Sequence, residues 1–331
     1  MTPSKPIVAT MIGDPAGIGP EICVRSVASA DFSPYARPML IGSLPVVERA
    51  AAICGVQSRF RAYRTFDEIE FRAGEIPVLD TGRFDPKSYE LGKNSAACGQ
   101  AVLDWMHEAR TLAEAGAIQA WVNAPVDTKS VFMTGISHED AYAQFDPPGT
   151  YQLRISGPLR AVPVSEHVRM RDVPSLVKRD RVLEVVKLLH ATLAKWGLLD
   201  ARIAVAGLNP HAMYEEDKEE IAPAVQDAIA LGIRASGPAT PDAVFRQALD
   251  GQFDAVVTMY HDQGQIPLKT AVFEGACTLF LALDYLRVGT PHGTAFDIAG
   301  TGKAQHKTML AAMNTAASLA VGRGFPKSLR E

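Results

Sequence analysis

Three of the eight histidines stand where an apolar run gives out: His167 in VSEHVRM, His211 in GLNPHAM and His261 in MYHDQG. Neutral imidazole binds zinc, cobalt, nickel, manganese or iron(II) well. Three protein ligands around one ion leave positions open for substrate, which marks a catalytic site. Each histidine alone also reads as a hydrogen-bonded loop residue, and their long spacing is closed by the fold or not at all. What joins them is the repeated context of strand then histidine, with Asn209 and Asp262 adjacent as candidates to orient the rings. His107, His190 and His306 fall in stretches of helical period, where the first two read as structural.

Two glycine-rich segments add a second kind of chemistry. GDPAGIGPEI, Gly13 to Ile22, is a strand-to-helix turn whose glycines are spaced G-x-x-x-G-x-G. That is not the dinucleotide fingerprint G-x-G-x-x-G, and no Walker lysine supports kinase chemistry. RVGTPHGTAFDIAGTGKA, Arg287 to Ala304, sets Gly289, Gly293, Gly300 and Gly302 around His292 and Asp297. Backbone can approach a ligand closely there while one imidazole and one carboxylate stay available.

The elements that must position these residues follow from periodicity. Short apolar runs ending in Gly, Asn or Pro alternate with longer stretches of helical period, as strands buried by flanking helices require. The strand candidates are PIVATMIG, RPMLIGS, AIQAWVNAP, RAVPVSEHV, ARIAVAGLNP, FDAVVTMYHD and CTLFLALDY, and KTMLAAMNTAASLAVGRG reads as a terminal helix. The class is α/β, in which ligands bind beyond the carboxyl ends of strands. The longest stretch without clear period follows AIQAWVNAP, so we place the crossover between two lobes near Pro125. The expected lobes are 1–125 plus 303–331, and 126–302 with the histidines and the glycine loop.

Composition excludes several classes. A chain of 331 residues, 47% hydrophobic and 21% charged, is long enough for two lobes and a substantial core. A net charge of −4 with no long run of one sign gives no reason to expect nucleic acid or an anionic membrane as partner. The first residues lack a signal peptide's apolar core and no window approaches a membrane span, so the expected location is cytoplasmic. Cysteines 23, 54, 98 and 277 are far apart and form no CxxC pair, which suggests reduced core thiols.

GDPAGIGPEI, GLNPHA, YHDQGQIPLK and HGTAFDIAG, in this order from residue 13 onward, resemble the 4-hydroxythreonine-4-phosphate dehydrogenase family. HGTAFDIAGTGKA is also similar to the cofactor loop HGSAPDIAGKGIANP of isocitrate and isopropylmalate dehydrogenases. The resemblance implies a two-lobed α/β/α isocitrate-dehydrogenase-like fold with a non-Rossmann NAD or NADP site, and a homodimer with active sites shared between subunits. It implies that His167, His211 and His261 hold a divalent metal (zinc, cobalt, nickel, manganese, magnesium or iron). It implies substrate contacts at His138, Asp242, Lys269, Thr278 and Arg287, with Lys269 and Asp242 catalytic. It assigns the cofactor to Gly264, His292, Gly293, Thr294, Ala295, Asp297 and Gly300. The implied reaction oxidises a secondary alcohol and releases carbon dioxide from the resulting β-keto acid, with a metal easing loss of the hydroxyl proton.

The departures gather at the substrate end. Where the family's loop reads GHTE, this chain has SHED, Ser137 to Asp140, so Glu139 stands in place of a threonine. A hydroxyl can donate to phosphate, whereas a carboxylate repels it. Thr278 likewise replaces an asparagine. These changes raise an alternative substrate, a cis-dihydrodiol carboxylate of the terephthalate type, which this family also handles. From other classes, an acyl or phosphoryl transferase of related fold would need neither nicotinamide nor three histidines, and a non-catalytic binding protein would tolerate loss of each histidine. Lys269 and Arg287 suit a small anionic substrate.

Overall fold

The computed structural model describes residues 5–271 and 275–326. The chain separates into two compact units. One comprises the segment up to Pro148 with Leu283–Val321, and the other comprises Gly149–Ala282 with a short segment from Gly322. The first unit therefore extends past the crossover expected near Pro125 and includes the glycine loop expected in the second. The physical reason lies in two packings. Gly99 brings helix α3 (Ala96–Glu114) so close to the Ser130 carbonyl that a Cβ would stand 2.0 Å from it, which binds helix α4 (Thr128–Phe132) to this unit. Strand β12 (Arg287–Gly289) pairs in parallel with β5 (Ala120–Asn123) and carries the glycine loop with it.

In the first unit, β1 (Ile7–Met11), β2 (Arg37–Ile41), β3 (Arg59–Tyr63), β4 (Glu75–Leu79), β5 and β12 run in the order β3-β4-β2-β1-β5-β12, every neighbouring pair parallel. Parallel strands covered on both faces need continuous apolar runs, and β1 is buried at all five positions. Helices α1 (Gly19–Val27), α2 (Leu44–Cys54), α3, α4, α5 (His138–Phe145) and α11 (Lys307–Ala320) accompany this sheet. Their ends follow local chemistry. Ser95 accepts the Cys98 N–H to start α3, Asp127 accepts the Ser130 N–H to start α4, and Gly55 ends α2 in the left-handed region at φ +67°. The chain passes one way from β1 to β2 and the other way to β5, so the switch point where such sheets bind ligands lies between β1 and β5.

In the second unit, β6 (Tyr151–Ser156) and β7 (Leu159–Ser165) form an antiparallel hairpin, with β11 (Cys277–Leu281) antiparallel on the far side of β6. From β7 the sheet continues in parallel through β10 (Ala255–Tyr260) and β8 (Ile203–Ala206) to β9 (Ala235–Ala239). Its helices are α6 (Val173–Leu176), α7 (Arg179–Lys195), α8 (Ala222–Ala230), α9 (Val244–Leu249) and α10 (His261–Ala271). A core of Leu159, Ala204, Val244, Val256 and Leu268 joins three strands to α9 and α10.

All seven expected strands are present. Strands β3 and β9 lie at the edges of their sheets, paired on one side, and so lack the apolar run that identifies a buried strand. Among the described residues no helix is long and apolar enough to cross a membrane.

Candidate active site

The carboxyl ends of β7, β10 and β8 open on one edge of the second unit. β7 leads into Glu166 and His167, β10 runs directly into His261 at the first position of α10, and β8 leads into the loop bearing His211. Neighbouring strands are about 4.8 Å apart. With β10 in the middle, the strand leading to His261 has the strand leading to His167 on one flank and the strand leading to His211 on the other. The rings of His167 and His261 lie 5.2 Å apart between centroids, tilted by 44°. Their donor atoms and one oxygen of Glu166 all lie within 4.8 Å of one another. Ligand atoms about 2.1 Å from one ion are about 3–4 Å apart, so this cluster fits a divalent cation after shifts of about 1 Å.

The strands leading to the three expected histidines thus open on one edge, where His167 and His261 come together with Glu166 and without His211. Its signal in the sequence was a carboxylate immediately before His167. The Asp262 carboxylate stands 2.8 Å from Nδ1 of His261, which leaves Nε2 for an ion and orients the ring as expected. Asn209 does not play that role, because its amide donates to Glu216 at 2.9 Å and Asp217 at 3.1 Å.

The loop bearing His211 is strained and clamped. His211 and Ala212 both adopt left-handed backbone, at φ +57° and +54°, a conformation costing about 1–3 kcal/mol per residue. The fully buried carboxylate of Asp217 accepts the backbone N–H of Leu208 at 2.7 Å and of Tyr214 at 3.1 Å, closing both sides of the loop. His211 then lines a cleft of about 600 Å³ with Asp242, Tyr260, Asp262, Ile266 and Pro267. Asp242 therefore lines the same cleft as His211. Lys269 is exposed on α10 and is not among the residues lining this cleft. Thr278 is buried in β11, directly opposite Arg154 of β6.

Two residues of the HDQG motif serve packing. Gln263 is buried, donates to the Gly207 carbonyl at 2.8 Å and accepts the Met259 N–H at 2.7 Å, so it ties the ends of β8 and β10 together. Gly264, expected at the cofactor, faces the sheet instead, where a Cβ would come within 3.2 Å of Thr258 and 3.5 Å of Ala161.

In the first unit the two glycine-rich segments dock on each other at the switch-point edge. The Ile18 N–H donates to the Thr294 carbonyl at 2.9 Å, and Gly17 packs so close to Thr294 that a Cβ would be 2.8 Å away. The buried Glu21 carboxylate accepts the N–H of Gly300 at 2.6 Å and of Gly302 at 2.9 Å. Arg25 donates to the carbonyls of Gly302 at 2.6 Å and Ala304 at 3.1 Å. The GDPAGIGPEI turn is thus the scaffold of the other loop.

That loop keeps an open stretch. Gly293 is exposed with nothing within 4 Å of where a Cβ would stand, Asp297 is exposed, and Ala295 holds φ at +43°. His292 Nδ1 lies 3.1 Å from the Gly293 carbonyl. This geometry fits a nucleotide's approach to backbone, with Thr294 and Gly300 shaping the loop from behind.

Beside the switch point, Asp14 is fully buried, with Oδ1 accepting the Ala16 N–H at 2.8 Å. Burial pushes its carboxyl up from the ordinary value, and the neighbouring Asp127 adds to the shift. His138 opens α5, exposed and stacked flat on Phe132 at 3.9 Å between centroids, with Glu139 exposed beside it. Arg287, expected to grip substrate, is buried. Its guanidinium lies 4.3 Å from the centre of the Trp121 ring and donates to the Phe145 carbonyl at 2.8 Å, and desolvation pulls it down to about 10.

A family model described as pyridoxal phosphate biosynthetic protein PdxA matches residues 34–316. A Novosphingobium aromaticivorans protein provisionally named a 4-hydroxythreonine-4-phosphate dehydrogenase is 41% identical over 98% of both chains. The crystal structure of a 4-hydroxythreonine-4-phosphate dehydrogenase from Burkholderia phymatum is 33% identical, covering 95% of this chain and 98% of its own at a TM-score of 0.81. A terephthalate 1,2-cis-dihydrodiol dehydrogenase from Burkholderia xenovorans is more distant, at 26% identity and a TM-score of 0.66, covering 97% of this chain and 99% of its own.

Proposed function

The chain belongs to the PdxA family of 4-hydroxythreonine-4-phosphate dehydrogenases, and from that premise we propose that it catalyses metal-dependent, NAD- or NADP-linked oxidation of a hydroxy acid with coupled decarboxylation. The observation that supports this most directly is the cluster of Glu166, His167 and His261 at the edge of a sheet whose next loop bears His211 and opens on a cleft with Asp242. His167 and His261 would hold the ion, with Asp262 fixing the His261 ring. Lewis acidity there, when an ion is bound, favours loss of the substrate hydroxyl proton and polarises the carbonyl that oxidation creates. Asp242 stands in the cleft as the group able to take that proton, and Lys269, on α10 but outside the cleft lining, is a second candidate to move a proton only if it reaches the substrate. The loop from His292 to Gly300 would receive the nicotinamide nucleotide on backbone shaped by Glu21 and Arg25. The working assembly is a homodimer with shared active sites.

A phosphorylated substrate of the 4-hydroxythreonine-4-phosphate type is the first candidate. A cis-dihydrodiol carboxylate, whose decarboxylation restores an aromatic ring, is the second. Two features favour the second: Glu139 puts negative charge beside His138, and the Arg287 guanidinium is buried against Trp121 and Phe145. The test is a turnover screen of both substrate classes with NAD and NADP, in chelated enzyme and after return of single divalent ions. Activity needing both nicotinamide and ion is expected. Full turnover in chelated protein, or acyl-phosphate turnover without nicotinamide, would overturn the reading.

A further inference from the structure

We propose that Glu166, which pairs with Arg154, is a direct donor to the divalent ion held by His167 and His261. The inference rests on the metal-dependent reading above and adds to it a carboxylate ligand.

Arg154 is only 6% exposed, on β6, and both its terminal nitrogens are committed to Glu166, at 2.6 Å to Oε1 and 2.9 Å to Oε2. The same nitrogens also donate to Gln152, to its carbonyl at 3.2 Å and its side-chain oxygen at 3.1 Å. A bidentate guanidinium holds a carboxylate in one plane. A buried ion pair by itself is weak evidence for stability, because desolvation offsets much of the attraction. Here the pair lies where β7 ends, and it holds the carboxylate with one oxygen within 4.8 Å of donor nitrogens on two imidazoles. Each carboxylate oxygen has a further lone pair beyond the one facing the arginine. Arg154 thus balances the charge before an ion arrives and presents an oxygen in a fixed direction afterwards.

The consequence is chemical. Two imidazoles alone favour zinc and its neighbours, whereas a carboxylate oxygen shifts a site toward harder ions such as manganese or magnesium. Because β7 and β10 are adjacent, this set of two nitrogens and one oxygen assembles without His211. Thr278 stands opposite Arg154 in register, so the pair also borders an expected substrate contact.

The test is calorimetric titration of the full-length chain with manganese and separately with zinc, in the wild type, Glu166→Gln and Glu166→Asp, with thermal melts of each metal-free protein. Glu166→Gln keeps the shape and removes the charged donor. The expected result is a loss of manganese affinity of about 10-fold or more, the scale seen when metal-site partners are removed, with a smaller loss for zinc, so that the preference for zinc over manganese widens. Glu166→Asp, which shortens the reach and preserves the charge, is expected to move the ratio in the same direction and decides the matter if the glutamine variant does not fold. A folded variant with the wild-type ratio overturns the inference and leaves the metal-dependent reading standing. A wild-type chain that binds neither ion overturns both.

Discussion

Glu21 and Gly300, nearly a whole chain apart in sequence, are joined by a 2.6 Å hydrogen bond from the glycine N–H to a buried carboxylate oxygen. The other oxygen receives the Gly302 N–H at 2.9 Å, so one side chain sets the path of the loop assigned to the nucleotide. Glu21→Gln replaces one acceptor by an amide that itself donates, and one loop N–H is left facing it. The expected cost is about 1–3 kcal/mol of stability, together with weaker binding of NADH or NADPH. Fluorescence titration of each nucleotide, read beside a thermal melt, separates the two effects. A folded variant with wild-type nucleotide affinity would detach this loop from the cofactor.

How much of this was legible in the sequence follows from physical range. The strands β1, β7, β8 and β10 announce themselves because burial on both faces demands unbroken apolar runs, and the histidines at their ends could be placed on an edge. Which of them meet could not be read, because it depends on strand order and on the path of each loop: β10 lies between β7 and β8, and His261 meets His167. Clamps such as Asp217 and Glu21 carry no mark in the sequence. Their partners are backbone N–H groups, which every residue has, so no pattern of side chains marks them. The HDQG motif read as a cluster of reactive groups, yet Gln263 and Gly264 join strands and pack a helix.

Asp217 holds the loop that bends sharply at His211, and the left-handed backbone there persists because the carboxylate over-determines it. In Asp217→Asn one oxygen becomes a donor that faces the Tyr214 N–H or the Leu208 N–H. Loss of about 1–3 kcal/mol in urea unfolding is expected, with a fall in kcat larger than any change in KM, since His211 loses its fixed direction before the cleft loses its shape. A kcat equal to wild type in the folded variant would show that the presentation of His211 is immaterial.

Glu139 lies exposed in the first turn of α5, next to His138. A phosphate brought to this turn meets a like charge, whereas a threonine hydroxyl would donate to it. Glu139→Thr is therefore expected to lower KM for a phosphorylated substrate several-fold and to leave a cis-dihydrodiol carboxylate less affected. Steady-state kinetics on both substrate classes measure the ratio, and an unchanged ratio rejects the electrostatic account of the altered loop.

Asp14 gives a pH dependence with a definite sign. Burial, aided by Asp127, raises its folded-state value above 3.8. Such a group contributes stability that is fully present below its unfolded value and is lost as pH rises through the folded one. Asp14→Asn keeps an oxygen for the Ala16 N–H and removes the titration. The variant should gain on the wild type as pH rises from about 4 to 7, by denaturant unfolding at fixed ionic strength. A stability difference that is flat across this window would mean that Asp14 stays ionised throughout.

The place of His211, outside the cluster that His167 forms with His261, bears on assembly. If turnover needs all three imidazoles at one ion and His211 is supplied by a second copy of the chain, as in a homodimer with shared sites, each site spans both copies. Two variants then complement each other. In a mixed dimer of His211→Ala with His261→Ala, one site inherits both lesions and the other inherits neither. Each variant alone should be nearly inactive yet folded, because His211 is exposed and His261 sits at a helix start. Random reassortment yields half mixed dimers, each with one intact site, so about a quarter of wild-type activity should return. Unfolding and refolding the two variants together, against each refolded alone, measures this. If no activity returns while size-exclusion chromatography shows mixed dimers, each site is built from a single chain.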